Sequence, residues 1–348
     1  MKQVKVFLNG CYGACNLGDD IMLKITINDL EKITNKRLHI NVKNKGNKQC
    51  LISQSYISNL FNINKLKEFA IIAKSDLYIW GGGTFLYESK DNGIKSLLSI
   101  LVHVLIAKLF NVKVIFYGIG YGELRTFVGK NIASVIVKLS DFVTVRDKES
   151  YLDIKSIKNN IYLTNDLVYR LDIDSIRDID VNKKKNLNII LNTVYYQTPK
   201  EIDKFAGLIE EKIKLLKIDI EIVNFHLIPA WHNEKTSDTD TNKKLIDSLM
   251  NKWGEVNYTI HENKNVDEIL LLISESDIVF AQRLHILLIS VLLEKQIFTL
   301  SYHTKIDKFL NDINYNQYGF YDKFIINKNK ELANKNFILL QKFLDNYK

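Results

Sequence analysis

Arg283-Leu284-His285 follows the apolar run Asp277–Ala281 and opens a second apolar stretch. At a helix start, this pairing sets a permanent cation and a group that titrates near neutrality beside backbone N–H groups. Such a set suits anion binding and proton transfer. Tyr302-His303-Thr304-Lys305 occupies the equivalent place after the next strand, Ile297–Leu300. In the first half, strand Phe142–Val145 runs straight into Arg146-Asp147. An arginine at a strand end can fork onto a phosphate or carboxylate. Asp166, in Thr164-Asn165-Asp166, reads as a turn residue.

Three glycine-rich stretches also follow strands. The first, Asn9–Asp20, contains Gly10, Tyr12, Gly13, Asn16 and Gly18, with Asp19 expected to cap the following helix and Asp20 to complement its dipole. The second is Trp80-Gly81-Gly82-Gly83-Thr84, whose bare backbone suits a sugar face or an oxyanion. The third is Gly118-Ile119-Gly120-Tyr121-Gly122. None has dinucleotide or P-loop spacing.

Other chemistry is thinly represented. Asp238-Thr239-Asp240 has the form DxD but sits in a polar run and reads as solvated. His226 and His232 are expected in a loop within reach of substrate, whereas His39, His103 and His261 read as structural. Cys11, Cys15 and Cys50 fit neither a disulfide framework nor a zinc site, and the first two read as small fillers beside a turn. No metal is expected.

Strand and helix signals alternate through both halves, which predicts βαβ crossovers and parallel sheets covered on both faces. At 348 residues, 46% hydrophobic and 25% charged, the chain has globular composition and is long enough for two cores. The expected organisation is a Rossmann-like domain over 1–172, a linker over 173–186, a second such domain over 187–327, and a C-terminal helix over 328–348 that packs back. The expected class is α/β, two doubly wound Rossmann-like domains facing a cleft. Strand ends should point into it. Ser96–Ala107, bounded by Lys95 and Lys108, is too short to span a bilayer and reads as a buried helix. The N-terminus reads as a strand rather than a signal peptide, so a cytoplasmic protein is expected. The net charge of +8 favours anionic partners, and lysines scattered along the chain give no nucleic-acid groove.

Together these stretches resemble the polysaccharide pyruvyl transferase family. The matching pieces are Gly10–Asp19, Trp80–Thr84, Gly118-x-Gly120, Val145-Arg146-Asp147-x-x-Ser150, Arg283-Leu284-His285 and Tyr302-x-x-Lys305, in family order over nearly the whole chain. The resemblance implies a GT-B-like fold and transfer of a pyruvyl group from phosphoenolpyruvate to two hydroxyls of a sugar, forming a cyclic ketal. It places Arg146, Arg283 and His285 in donor binding and proton transfer, with Leu284, Tyr302 and Lys305 on the donor side. Tyr12, Asn16, Asp19, Gly81, Gly82, Gly83, Thr84, Gly118 and Gly120 fall on the acceptor side. The two arginines, one per domain, would then each clamp one anionic group of the donor. Cys11, Ala14 and Cys15 depart from the family's usual glycine or aromatic residues, and Leu167 follows Asp166 where proline is usual; both bear on the acceptor. No cofactor is implied beyond phosphoenolpyruvate as donor substrate. The expected acceptor is a lipid-linked oligosaccharide met at the inner face of an anionic membrane. The alternative is a GT-B-like glycosyltransferase using a nucleotide sugar, although no acidic residue is clearly placed for ribose. A non-catalytic sugar-binding protein on the same scaffold fits less well with both Arg283 and His285 present.

Overall fold

The structure, a computed structural model, describes residues 3–13, 16–35, 37–44, 57–61, 63–88, 93–177, 186–231, 237–262 and 264–346. Ala14, Cys15, Cys50, His232 and most of the expected linker lie outside these residues. The chain divides into two compact units. The first comprises Met1–Gly13, Gly18–Leu171 and Asn329–Lys348; the second comprises Ala14–Leu17 and Asp172–Lys328.

In chain order the first unit contains β1 (Val4–Asn9), α1 (Leu17–Thr34), β2 (Leu38–Asn44), β3 (Ile57–Phe61), α2 (Lys65–Ala73), β4 (Leu77–Gly81) and β5 (Thr84–Leu86). It continues with α3 (Lys95–Leu109), β6 (Lys113–Tyr121), α4 (Phe127–Leu139), β7 (Phe142–Val145), α5 (Lys148–Lys155) and β8 (Tyr162–Leu163). Its sheet runs β3-β2-β1-β4-β6-β7-β8, with β5 pairing to β6, and every pairing is parallel. β4 is buried along its whole length, as a strand covered on both faces must be.

The second unit contains α6 (Asp174–Arg177), β9 (Leu187–Asn192), α7 (Pro199–Leu215), β10 (Val223–Leu227), α8 (Asp238–Trp253), β11 (Asn257–Ile260) and α9 (Val266–Ser274). β12 (Ile278–Ala281), α10 (Leu284–Leu292), β13 (Gln296–Phe298), α11 (Thr304–Asp312) and α12 (Lys323–Asp345) follow, the last continuing into the first unit's C-terminal segment. The parallel sheet runs β11-β10-β9-β12-β13. The expected α/β class, two doubly wound parallel units, is observed.

Three local differences from the sequence reading have physical causes. β6 does not stop at Tyr117 but continues through Gly118 and Gly120 to Tyr121. Gly118, at φ +64°, lets the strand bulge where its register against β7 shifts, so these glycines belong to the strand rather than to a loop. The polar run at Asp238-Thr239-Asp240 is not a solvated loop but the first turn of α8, because Ser237 accepts the Thr239 N–H as an N-cap. The apolar run Ser96–Ala107 is only half buried. Leu97, Ile100, Val104 and Ala107 face the core of the first unit, while Leu98, Val102, Leu105 and Leu109 are exposed. A helix laid on one face of a sheet covers only its inner side. Among the described residues no helix is long and apolar enough to cross a membrane.

Candidate functional site

In the second unit the strand order reverses between β9 and β12, so their carboxyl ends flank the switch point where ligands bind in open α/β sheets. Arg283 follows β12 and is the N-cap residue of α10. Its backbone N–H donates to Asn192 Oδ1 at 3.1 Å, which pins the start of α10 to the end of β9. The Asn192 side-chain amide in turn donates to the Ile228 carbonyl at 2.8 Å.

The guanidinium is held edge-on by Asp238. Nε donates to Oδ2 at 3.0 Å and Nη2 to Oδ1 at 2.6 Å. Asp238 is fully buried, and it also accepts the N–H groups of Tyr195 (3.0 Å) and Ala230 (3.2 Å). Burial pushes the Asp238 carboxyl up, while Arg283 and these two amides oppose the shift. Burial likewise disfavours the charge on Arg283, but Asp238 outweighs it and the arginine is held still more firmly protonated than usual. Among the described residues none accepts from Nη1. The sequence reading treated Asp238 as solvated; the structure corrects it to the residue that orients Arg283. The readable signal was Ser237, a cap residue followed by acids in the first helical turn.

Aromatic side chains rim this arginine. The Tyr195 ring lies 5.8 Å from the guanidinium, and Trp231 stacks on Tyr195 with centroids 6.4 Å apart. Tyr196 packs edge-on against Tyr302 at 5.5 Å. Burial, followed by the hydrogen bond to Tyr302, pushes the Tyr196 hydroxyl well above the ordinary tyrosine range. Both tyrosines lie within the electrostatic reach of Arg283. The sequence pointed to Tyr302 but not to Tyr195, Tyr196 or Trp231. His285, the second residue of α10, is half-buried, and Leu284 opens that helix. His303 caps α11, its Nδ1 accepting the Lys305 N–H at 3.1 Å.

The first unit is put together differently. Its switch point lies between β1 and β4, and there Tyr12 fills the space. Tyr12 is 1% exposed and donates to the Gly81 carbonyl at 2.6 Å. A Cβ on Gly10 would come within 2.5 Å of the Tyr12 ring, one on Gly81 within 2.7 Å of its hydroxyl, and one on Gly82 within 2.3 Å of Met22 Sδ. Gly82 N–H donates to the Tyr117 carbonyl at 2.7 Å, and Gly83 O accepts Gly120 N–H at 2.8 Å. The bare backbone of Gly81 and Gly82 thus makes room for the interior, where the sequence reading had it clearing a sugar face. Tyr12, expected to touch the acceptor, is likewise an interior residue. Gly118 abuts Leu167, and Gly83 lies 3.3 Å from Asp19 by the same measure.

Asp19 is in the first turn of α1, which begins at Leu17, so it does not cap the helix as expected; Asp20 accepts the Gly13 N–H at 2.8 Å. Asn16 belongs with the second unit and bridges to Trp231. Cys11, expected as a filler, is exposed. Arg146 does stand at a strand end, but its fork is occupied within its own unit. Nη1 donates to Asp166 Oδ2 at 2.8 Å and Nη2 to Thr84 Oγ1 at 2.9 Å, with Gly120 packed against the guanidinium. Asp166 also caps the turn Leu167–Arg170, and Asp147 caps α5.

The remaining histidines fall into two groups. His103 is buried, 3.3 Å from Glu68, as its structural reading implied. His226 lies within β10, not in a loop, and its Nδ1 sits 2.9 Å from His261 Nε2. Burial, with His226 second, pushes His261 down to about 4.

The chain is similar in fold to several solved structures. The UDP-GlcNAc 2-epimerase from Neisseria meningitidis, bound to UDP-GlcNAc, is 15% identical with a TM-score of 0.58, the match covering 99% of each chain. The UDP-GlcNAc 2-epimerase from Methanocaldococcus jannaschii is 15% identical with a TM-score of 0.56, over 97% of this chain and 91% of that one. A putative UDP-N-acetylglucosamine 2-epimerase from Listeria monocytogenes is 11% identical at 0.57, over 95% and 88%. These likenesses establish the GT-B-like fold alone. No curated protein matches the chain in sequence. The profile of the polysaccharide pyruvyl transferase family matches residues 16–304, from the end of the first glycine-rich loop to the start of α11. The chain belongs to the polysaccharide pyruvyl transferase family.

Proposed function

We propose that the protein transfers a pyruvyl group from phosphoenolpyruvate to a sugar of a cell-surface polysaccharide or its lipid-linked precursor, forming a cyclic ketal. One observation carries the donor assignment. At the second unit's switch point a buried carboxylate fixes one edge of Arg283, and the Tyr196 and Tyr302 hydroxyls stand beside it. Phosphoenolpyruvate offers a carboxylate and a phosphate on either side of its C2 carbon. The unfilled end of a fixed fork, the hydrogen-bonded tyrosine pair with one phenolic proton to offer and the first amides of α10 form a binding set for such a dianion.

His285, on that first turn, gives a proton to the C3 methylene. A sugar hydroxyl attacks the resulting cationic C2, forming one C–O bond, and its proton returns to the imidazole. The bond from C2 to the phosphate oxygen then breaks, a second hydroxyl of the same sugar attacks C2 to close the ring, and its proton leaves on the departing inorganic phosphate. Lys305 supports the donor's charge. In the first unit Arg146 holds Thr84 and the neighbouring glycine turn in place. Asp238 is a positioning residue: it acts through Arg283.

The test is to incubate the full chain with phosphoenolpyruvate and lipid-linked or nitrophenyl glycosides. The reading expects a pyruvate ketal by mass spectrometry with one phosphate released per adduct. Glycosyl transfer from a UDP-sugar under the same conditions would reject it. That outcome has a precedent in fold, because the Neisseria structure holds UDP-GlcNAc.

A further inference from the structure

The outer side of the first unit's helical layer is apolar where a soluble surface would be polar. On α3 the exposed residues Leu98, Val102, Leu105 and Leu109 are spaced four, three and four apart, a single helical face. Leu109 is 78% exposed, and Phe127 on the neighbouring α4 is 80% exposed. Leu66 on α2 is as open as Leu109. Contiguous apolar surface of this kind on a folded layer marks a docking site.

Charge indicates what docks there. The three helices carry Lys65, Lys67, Lys95, Lys130 and Lys138, besides Lys108, which is paired with Asp141 at 2.8 Å. Their one acid, Glu68, is buried and paired with Lys43 at 2.6 Å. An apolar face bordered by lysines, without an exposed carboxylate on its own helices, complements an anionic lipid surface. A second copy of the chain is a poor occupant. A two-fold interface would bring the same patch, and so lysine, against lysine. A cavity of about 860 Å³ between α2 and α3 opens within this face; Lys65 and Lys95 line it, and its one carboxylate, Glu68, is paired with Lys43.

We propose that the outer face of α2, α3 and α4 seats the protein on an anionic membrane surface. The inference rests on these helix faces and not on the pyruvyl-transfer reading, so either can fail alone. The experiment is co-sedimentation of the full-length protein with vesicles of phosphatidylglycerol and phosphatidylcholine in equal parts, against pure phosphatidylcholine. We expect binding to the mixed vesicles at low salt, about tenfold weaker on pure phosphatidylcholine and falling as salt rises. The double variant Leu105→Ser/Leu109→Ser, checked for folding by circular dichroism, should bind at least about tenfold more weakly, since two exposed leucines no longer insert. The triple variant Lys95→Gln/Lys130→Gln/Lys138→Gln should lose the salt-dependent part. Wild-type protein that stays in the supernatant at low salt would overturn the proposal. So would variants that bind as well as wild type, or a wild-type dimer that the leucine variant converts to monomer.

Discussion

Each unit buries an aspartate that grips an arginine edge-on, and the two pairs end differently. In the first, Arg170 uses Nε and Nη2 on Asp29. Its Nη1 donates to Asn334 at 2.6 Å, and its guanidinium lies 5.0 Å from the Phe337 ring, both on α12. Tyr117 closes the other side of Asp29 at 2.6 Å. In the second, Arg283 uses the same two nitrogens on Asp238, but around it stand half-exposed tyrosines. One pair ties the C-terminal helix to its unit; the other presents a cation at a switch point. The chemistry of the pair is the same, and what differs is whether a described residue takes the last donor.

The comparison can be broken by matched substitutions. The largest effect is expected at His285. His285→Ala should lower kcat by about 10²–10⁴-fold with little change in phosphoenolpyruvate affinity. His103→Ala, at the buried histidine of the first unit, should lower thermal stability and leave kcat per folded molecule unchanged. An unaltered kcat for His285→Ala removes the proton-transfer role.

Next come the arginines themselves. Arg283→Lys keeps the charge but loses the fork, and donor KM should rise about 10–100-fold, as expected from charge-assisted hydrogen bonds worth about 1.5–3 kcal/mol. Arg170→Lys should instead destabilise the fold, by about 1–3 kcal/mol in denaturant titration, with donor KM unmoved. Equal effects of the two on KM would dissolve the distinction drawn between them.

How far the site could be read in advance follows the same division. The placement of Arg283, His285 and Tyr302 just after strands was legible because strand and helix signals alternate there. Asp238 was not. Ser237 marks the helix start, but the burial of Asp238 depends on which loop that start faces, which a polar run such as Ser237–Lys243 does not disclose. The glycines misled for a related reason. Glycine marks a close approach without saying whether the neighbour is a ligand or, as at Gly10 and Gly81, the protein's own Tyr12. The apolar run on α3 was located correctly, but periodicity does not report whether a second layer covers the outer face.

Smaller effects refine the picture. Tyr196→Phe should weaken donor binding by about fivefold, the equivalent of one hydrogen bond of about 1 kcal/mol. Tyr12→Phe, which removes the bond to Gly81, should reduce stability by a similar amount and leave donor binding alone.

The smallest effect is a pH dependence at the edge of the second sheet. His261 is held down to about 4 in the folded chain, from an ordinary value of 6.5, so the unfolded chain binds the extra proton first. Stability contributed by the neutral imidazole is present above pH 6.5 and is lost as pH falls toward 4. Because the ring is only partly buried, solvent screening holds this below about 1 kcal/mol. Melting curves of wild type and His261→Asn should converge between pH 7 and 5; parallel curves would locate the low pKa elsewhere.

Calorimetric titration of phosphoenolpyruvate into wild type, Arg283→Lys and Tyr12→Phe tests the central claim most directly. The account predicts saturable binding to wild type, binding weakened at least about tenfold in Arg283→Lys, and unchanged affinity in Tyr12→Phe. Wild-type affinity retained in Arg283→Lys, or lost in Tyr12→Phe, would contradict it.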